Sequence, residues 1–268
     1  MTIRSLAVGL ALSASLVIAP AGSYGQSTAL TPFDKLPDWS GTWAMTGGTV
    51  FDRATQTGKG GSIDPGVREH PPYNAVYEKK YAEHLKLRDE DRYPDVQTNC
   101  GVPSGFPRIL NLPDAYEFVV RPDVFYIIAE NGGNTMRVYT DGRKLPGKED
   151  TWGTYTGVSV GHWQGDTLLI DTVGIKENVR FRNVPHSDQM RIHERIHMAS
   201  ADFFEDRITV EDPVYLTGPW NFSYAYKRLP HYKMLEYVCD SNREYKDPET
   251  GGTRLRLLND PAGTGKKQ

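Results

Sequence analysis

The sequence predicts an all-β domain, an antiparallel β-barrel with one peripheral α-helix. Short segments rich in β-branched and aromatic residues follow one another from Ala115 onward, separated by turns that contain Gly, Pro, Asn or Asp. Many short strands at near-regular spacing, with few helices, indicate a sandwich or barrel. The predicted strands are residues 39–45, 116–120, 124–130, 135–140, 155–163, 167–173, 190–198, 203–211, 220–228 and 235–239.

One segment has a helical pattern, at about residues 72–91. Val76, Tyr77, Tyr81 and Leu85 form one apolar stripe, and charged residues occupy the other side. The prolines that precede this segment and the one that follows it suit its two ends. We expect this helix to pack on the outside of the barrel.

The N-terminal segment, residues 1–25, has the features of a secretory signal peptide. Arg4 provides a positive region, residues 6–19 are apolar, and Ser23-Tyr24-Gly25 resembles a cleavage site. No later segment has transmembrane length. We therefore expect a periplasmic or secreted protein, with one domain at residues 26–247 and a loose tail at residues 248–268.

The charge and cysteine content restrict the classes of function. A net charge of -3, with signs interspersed, argues against a nucleic-acid partner. The two cysteines, Cys100 and Cys239, are expected to form a disulfide in an oxidising compartment. A catalytic cysteine is the alternative, but neither residue has neighbours that would stabilise a thiolate.

The segment from Met190 to Met198 contains the letters of an H-E-x-x-H zinc motif, His193 to His197. Read with a period of two, however, its apolar residues share one face with Glu194 while the histidines point to the other face. The pattern therefore favours a half-buried strand with a carboxyl group inside. A zinc hydrolase remains an alternative, with Glu205, Glu211 or His231 available as a third ligand.

Glu194 is the first candidate catalytic residue. Burial disfavours its charged form and raises its pKa toward the range that is useful for general acid–base chemistry. A structural alternative is a buried ion pair with an arginine, and the arginines available are Arg137, Arg180 and Arg108. Such a pair can also line a ligand pocket.

His186 and Asp188 lie at the entrance of the same predicted strand, where alternation places both on one face. The aspartate can then orient the imidazole for proton transfer. The alternative is a turn in which Ser187 or Asp188 caps backbone groups. Asp171 interrupts an apolar strand and is a second candidate carboxylate, because a charge there needs a partner.

The remaining candidates are expected to contact a substrate. Tyr139 and Arg143 flank an Asp-Gly turn and can reach a pocket mouth, although turn chemistry alone explains that turn. Trp163, with 15 tyrosines and five tryptophans in the chain, offers surfaces for a hydrophobic or aromatic ligand. His162 shares a face with Val158 and Val160, so it is either a core histidine or a ligand-contacting one. The candidate binding residues are Tyr139, Arg143, Arg137, Arg108, Trp163 and His162.

Two resemblances add to this interpretation. Gly41-Thr42-Trp43 is similar to the G-x-W opening of calycin barrels such as lipocalins, which implies a lipocalin-like barrel with a tryptophan at one end. Most of the chain after residue 25 resembles a large group of uncharacterised secreted bacterial proteins. The motifs that carry this second resemblance are C-x-x-P-x-G-x-P-R at residues 100–108, Y-T-D-G-R at 139–143, G-D-T-L at 165–168 and P-H-S-D at 185–188 with Glu194-Arg195. The group implies a secreted location and no particular reaction.

Together these features predict a secreted lyase, isomerase or hydrolase that needs no cofactor and no metal. Glu194 and His186 would exchange protons with a small hydrophobic or aromatic compound, with Asp188 orienting His186 and Tyr139 or Arg143 steadying developing charge. The alternative from a different class is a binding protein with the same fold, in which these residues make static hydrogen bonds. The sequence leaves open the substrate, the reaction type, the choice between enzyme and binding protein, the presence of a metal, and the oligomeric state.

Overall fold

The computed structural model describes residues 30–46, 71–89, 115–130, 135–177, 185–235, 244–246 and 253–255. Within these residues, nine strands follow one another in sequence order around a closed barrel, which confirms the predicted all-β, lipocalin-like class. The strands are β1 (Thr42–Met45), β2 (Ala115–Val120), β3 (Val124–Ala129), β4 (Thr135–Tyr139), β5 (Val158–Gln164), β6 (Thr167–Val173), β7 (Arg191–Ser200), β8 (Phe203–Glu211) and β9 (Trp220–Arg228).

The barrel closes where β1 pairs with β9, with Trp43 opposite Arg228. The neighbouring strands run antiparallel, as predicted, except at one ladder. β4 and β5 pair in parallel, with Val138 opposite Ser159. A parallel pair needs a long connection that carries the chain back to the same end, and residues 140–157 provide it.

Side chains alternate between the inside and the outside of the barrel, most clearly in β7. Ile192, Glu194 and Ile196 are buried, whereas Arg191 and His193 are exposed. This is the face assignment that a period of two predicted for the H-E-x-x-H segment. The segment is therefore a strand and not a helix.

Aromatic side chains fill one end of the barrel. Trp39, Trp43, Phe125 and Phe204 are all fully buried. The Trp39 ring lies 4.8 Å from Phe204 and 5.5 Å from Phe125, both in edge-on arrangements that aromatic pairs favour. The indole N–H of Trp43 donates to the carbonyl of Trp39 at 3.1 Å, so this buried polar group is satisfied.

The structure explains why a glycine occupies the first position of the G-x-W triplet. Gly41 has a φ of +107°, which disfavours a side chain, and a Cβ there would lie 3.0 Å from Nη1 of Arg228. Arg228 places its guanidinium 4.1 Å from the centre of the Trp43 ring. The glycine therefore leaves room for an arginine that covers the tryptophan, a cation–π contact.

The helix α1 (Ala75–Asp89) begins three residues later than predicted because Asn74 caps it. The Asn74 side chain accepts from the backbone N–H of Tyr77 at 3.1 Å and donates to the carbonyl of Val214 at 2.8 Å. The Tyr77 ring packs at 3.4 Å against Tyr215, so the loop before β9 holds the helix. Val76, which was expected in the buried stripe, is 62% exposed. No helix among the described residues is both long and apolar enough to cross a membrane.

Two further short strands, β10 (Glu244–Lys246) and β11 (Thr253–Leu255), form a separate antiparallel sheet. The second of them lies in the segment that the sequence predicted to be a loose tail. Three predictions concern residues outside the described ranges. They are the signal peptide, the expected disulfide between Cys100 and Cys239, and most of the strand at 235–239.

Candidate functional site

The most unusual feature of the barrel interior is a pair of buried carboxyl groups. Glu194 in β7 is 3% exposed and Asp206 in β8 is fully buried. In the ladder between these strands, Glu194 lies opposite Ile208 and Asp206 lies opposite Ile196. The two acids are therefore diagonal neighbours on one interior face, where their side chains can reach each other.

No described donor outside the pair gives a hydrogen bond to these carboxyl oxygens. Two carboxylates are acceptors only, so one of the two must carry a proton to bond the other. Burial, followed by the negative charge of Asp206, raises the pKa of Glu194 well above its ordinary value. Burial also raises the pKa of Asp206 to about 7, and a hydrogen bond from Glu194 limits that rise. Burial thus raises the pKa of both acids, and the pair titrates as a unit.

Two buried tyrosines of the neighbouring strand β9, Tyr224 and Tyr226, lie near the pair, and Tyr116 of β2 packs against the second of them. Tyr224 in β9 lies directly opposite Asp206. The rings of Tyr226 and Tyr116 meet edge to face at 5.4 Å. Burial raises the pKa of Tyr226 well above its usual range, and Tyr116, Asp206 and Glu194 contribute to the rise. The Tyr226 phenol therefore keeps its proton and is a hydrogen-bond donor.

An arginine partner for Glu194 was the structural alternative. Arg137 does not provide it, because its side chain is exposed and lies 5.8 Å from the Tyr126 ring. Arg108 and Arg180 lie outside the described residues. Among the described residues, the partner of Glu194 is a second acid.

His186 and Asp188 are not brought together. The strand begins only at Arg191, so residues 185–190 form a turn and alternation does not apply to them. His186 is buried, with Nδ1 3.1 Å from the carbonyl of Ser187. The Asp188 side chain is 65% exposed and lies 3.8 Å from the ammonium of Lys148. The predicted orientation of the imidazole by Asp188 therefore has no support in this geometry.

The turn is held instead by Asp212, which was not among the predicted site residues. Its carboxylate accepts from the backbone N–H of Ser187 at 2.7 Å and from the Ser187 hydroxyl at 2.8 Å. It also accepts from the backbone N–H groups of Val214 and Tyr215. Ser187 in turn accepts from the N–H of Gln189, as expected for the capping alternative. Because its carboxylate accepts hydrogen bonds from four donors of the surrounding turns, Asp212 has a structural role.

Asp171 lies on the outside of the barrel, not with Glu194. It forms a hydrogen bond to Nδ1 of His193, and Oε2 of Glu211 lies 3.8 Å from the other ring nitrogen. The hydrogen bond to Asp171 is the largest cause that raises the pKa of His193. Because alternation places β6 residues 168, 170 and 172 inside, Asp171 falls on the outer face.

The zinc-hydrolase alternative requires His193 and His197 to lie one helical turn apart, and a strand does not place them so. Residues four apart in an extended strand are separated by about 13 Å, so His193 and His197 cannot bind one ion together. His197 has its ring nitrogen Nε2 3.5 Å from Glu205. No group of three or more potential metal ligands is found among the described residues.

The predicted substrate-binding residues are divided between two parts of the barrel. Tyr139 and Arg143 lie together, with the guanidinium 3.6 Å from the ring centre, but Asp141 binds the same guanidinium through two oxygens. Trp163 lies 5.0 Å from Trp39 within the aromatic end. His162, on the other face of β5, has Nε2 3.4 Å from the amide of Gln164. None of these residues contacts the carboxyl pair in the contacts described.

A cleft of about 530 Å³ opens at the rim of the barrel, beside the ends of β6, β7 and β8. It is named the rim cleft here, and its walls are the loop 146–153, the turn 188–191 and the loop 211–219. The lining residues include Lys148, Ile175, Met190, Arg191, Glu211 and Leu216. Arg191 and Glu211 are exposed and share the outer face with His193. The rim cleft and the carboxyl pair are thus different sites.

Comparison with known proteins did not identify a family. No protein-family model matches the chain, and no curated protein matches it. The resemblance to the group of secreted bacterial proteins therefore stays a prediction.

Proposed function

We propose that this chain is a secreted enzyme that acts on a small hydrophobic or aromatic compound without an organic cofactor. Its reaction is of the acid–base kind, a lyase, isomerase or hydrolase step. Glu194 and Asp206 are the groups that move protons. Relative to the sequence-based hypothesis, Asp206 replaces His186 as the partner of Glu194.

The observation that carries this proposal is a buried pair of carboxyl groups whose oxygens receive no hydrogen bond from any other described residue. Isolated buried acids destabilise a fold, and apolar residues of similar size would stabilise it better. A pair of this kind is retained where its proton is useful, which is why strongly shifted pKa values concentrate at functional sites. The pair also has the two forms that acid–base chemistry needs, a protonated acid beside an ionisable base.

The roles follow from the two pKa values. Asp206, with a pKa of about 7, accepts a proton from the substrate in its carboxylate form. Glu194, whose pKa burial also raises, donates its proton to a second position of the substrate. A proton then passes from Asp206 to Glu194 and restores the starting state. Tyr224 and Tyr226 supply phenolic donors next to the pair for developing negative charge.

Deuterium incorporation tests this proposal without a known substrate. A small-molecule extract of the source cells and their medium is incubated in D2O with the purified protein and analysed by untargeted mass spectrometry. We expect at least one compound to gain deuterium or to be converted by the wild-type protein but not by Glu194→Gln or Asp206→Asn. Glu117→Gln, which changes an exposed carboxyl group of β2, is the matched control and should act as the wild type does.

A binding protein is the second candidate, and the same orphaned oxygens favour it. Carboxyl oxygens without a donor can accept hydrogen bonds from a ligand hydroxyl or amine and perform no chemistry. In that case a compound is retained by the wild-type protein in native mass spectrometry and is recovered unchanged, with no deuterium. Equal turnover by the wild-type protein and both variants would refute the enzyme proposal.

A further inference from the structure

We propose that the rim cleft is a binding site for a small carboxylic acid with an aliphatic or aromatic body. Arg191 pairs with the carboxylate, and Trp152 packs against the body. This site does not depend on the carboxyl pair, which lies on the opposite face of β7. It adds a ligand class that the proposed enzyme function does not specify.

The size and the floor of the rim cleft suit a small organic molecule. Its volume of about 530 Å³ lies within the range of ligand pockets. Met190 and Ile175 line it and are 4% and 1% exposed, so its floor is anchored in the core. Leu216 and Val173 add partly exposed apolar surface. The body of the ligand is therefore apolar.

The acidic groups of the rim cleft are already engaged. Asp188 faces the ammonium of Lys148 at 3.8 Å, across the cleft. Glu211 lies 3.8 Å from the imidazole of His193, whose raised pKa favours the charged form. Asp212 accepts hydrogen bonds from four donors. None of these carboxylates needs a ligand cation.

Arg191 is the cationic lining residue that has no ion pair with any described residue, since the other lining cation, Lys148, faces Asp188. It lies opposite Glu211 in the ladder, yet their charged groups form no contact within 4 Å. A guanidinium presents parallel N–H donors that match a carboxylate in a two-point arrangement. Of the two cations that line the rim cleft, Lys148 faces Asp188 and Arg191 has no carboxylate partner, so Arg191 is the group that suits an anionic ligand.

Trp152 is the second indication of a ligand. It is 80% exposed, although tryptophan is usually well buried, and both its neighbours, Thr151 and Gly153, line the rim cleft. Trp152 does not itself line the rim cleft, but it stands in the wall loop between two residues that do. In this position the ring can cover the apolar body of a ligand whose carboxylate meets Arg191.

Calorimetric titration with matched probes tests the proposal. The acids are octanoate and phenylbutyrate, their amides lack the charge, and phenylbutylamine carries the opposite charge. We expect both acids to bind and each amide to bind about tenfold more weakly or worse, since a charge-assisted pair is lost. Arg191→Gln should weaken the acids by a similar factor and leave the amides unchanged. Trp152→Ala should weaken phenylbutyrate by about three- to tenfold.

Arg195→Gln is the matched control. Arg195 lies on the same outer face of β7, is exposed and does not line the rim cleft. Circular dichroism and thermal unfolding establish that each variant is folded. The proposal is overturned if acids and amides bind equally, if the amine binds best, or if Arg195→Gln weakens the acids as much as Arg191→Gln. It is also overturned if neither acid binds with a Kd below about 1 mM.

Discussion

Asp206→Asn tests whether the carboxyl pair is held protonated inside the barrel. Asparagine has nearly the same shape as aspartate but carries no titrating proton. Because Asp206 is fully buried, its proton is retained in the folded chain at pH values where the unfolded chain has released it. The variant removes this difference and leaves Glu194 in place.

The magnitude follows from the pKa of Asp206, which burial raises from 3.8 to about 7. Between these values the folded state binds one more proton than the unfolded state, so the free energy of unfolding falls by about 1.4 kcal/mol for each pH unit. The contribution is fully present below the unfolded pKa and is lost as the pH rises through the folded pKa. Between about pH 5 and about pH 8 the wild-type protein loses about 3 kcal/mol through this group.

Urea unfolding, followed by tryptophan fluorescence at constant ionic strength, measures this loss. The difference in free energy of unfolding between the wild-type protein and Asp206→Asn should change by about 3 kcal/mol over that pH range, in favour of the variant at high pH. Glu117→Gln, at an exposed position of β2, should parallel the wild-type protein. If Asp206→Asn also parallels the wild-type protein, the pKa of Asp206 is not raised in the folded state and its proposed role as a base that titrates near neutral pH is wrong.

Three further outcomes are expected. Asp171→Asn should lower the pKa of His193 toward 6.5 in an NMR titration, because Asp171 is the main cause of its rise. The stability that the protonated His193 contributes is full below pH 6.5 and is lost as the pH rises through the raised folded pKa. Asp212→Asn should lower the free energy of unfolding by about 2–4 kcal/mol, since a buried carboxylate loses charge-assisted bonds. Gly157→Ala should lower the Tm more than Gly165→Ala: both glycines have positive φ, but a Cβ at 157 would lie 2.6 Å from a backbone oxygen, and nothing lies within 4 Å of one at 165. Equal melting temperatures would contradict this.

Local alternation was sufficient to predict most strands. The predicted bounds 167–173, 203–211 and 220–228 coincide with β6, β8 and β9. It failed at residues 155–157, where an aromatic residue starts the apolar run but Gly157 adopts a φ of +73° and turns the chain. The parallel β4–β5 ladder was also beyond local patterns, because a strand's composition does not specify its neighbour.

Of the two acids in the carboxyl pair, the sequence predicted that Glu194 is buried but did not identify Asp206. Glu194 stands between Ile192 and Ile196, so a period of two placed it inside. Asp206 stands between two other charged residues, Glu205 and Arg207, and such a run is typical of a solvated surface. The alternation of β8 nevertheless contains a signal, since Phe204, Asp206, Ile208 and Val210 share one buried face.

The partnership of the two acids required the strand register. The β7–β8 ladder is irregular near its turn, where pairing shifts between Met198 and Ser200. A slip of one residue in a strand would turn every side chain to the other face. Only the completed hairpin therefore sets Glu194 diagonal to Asp206. His186 failed as a candidate for a related reason, because a face can be assigned only to residues that belong to a strand.

The same period of two separates the two proposed sites and makes them independently testable. Glu194 points inward from β7, while Arg191, three residues away, points outward into the rim cleft. We expect Glu194→Gln to leave the affinity for phenylbutyrate unchanged, and Arg191→Gln to leave the pH dependence of unfolding as it is in the wild-type protein. Coupling in either direction, measured by the same titrations, would mean that the interior and the rim form one site. The alternation argument would then fail for function even though it holds for the fold.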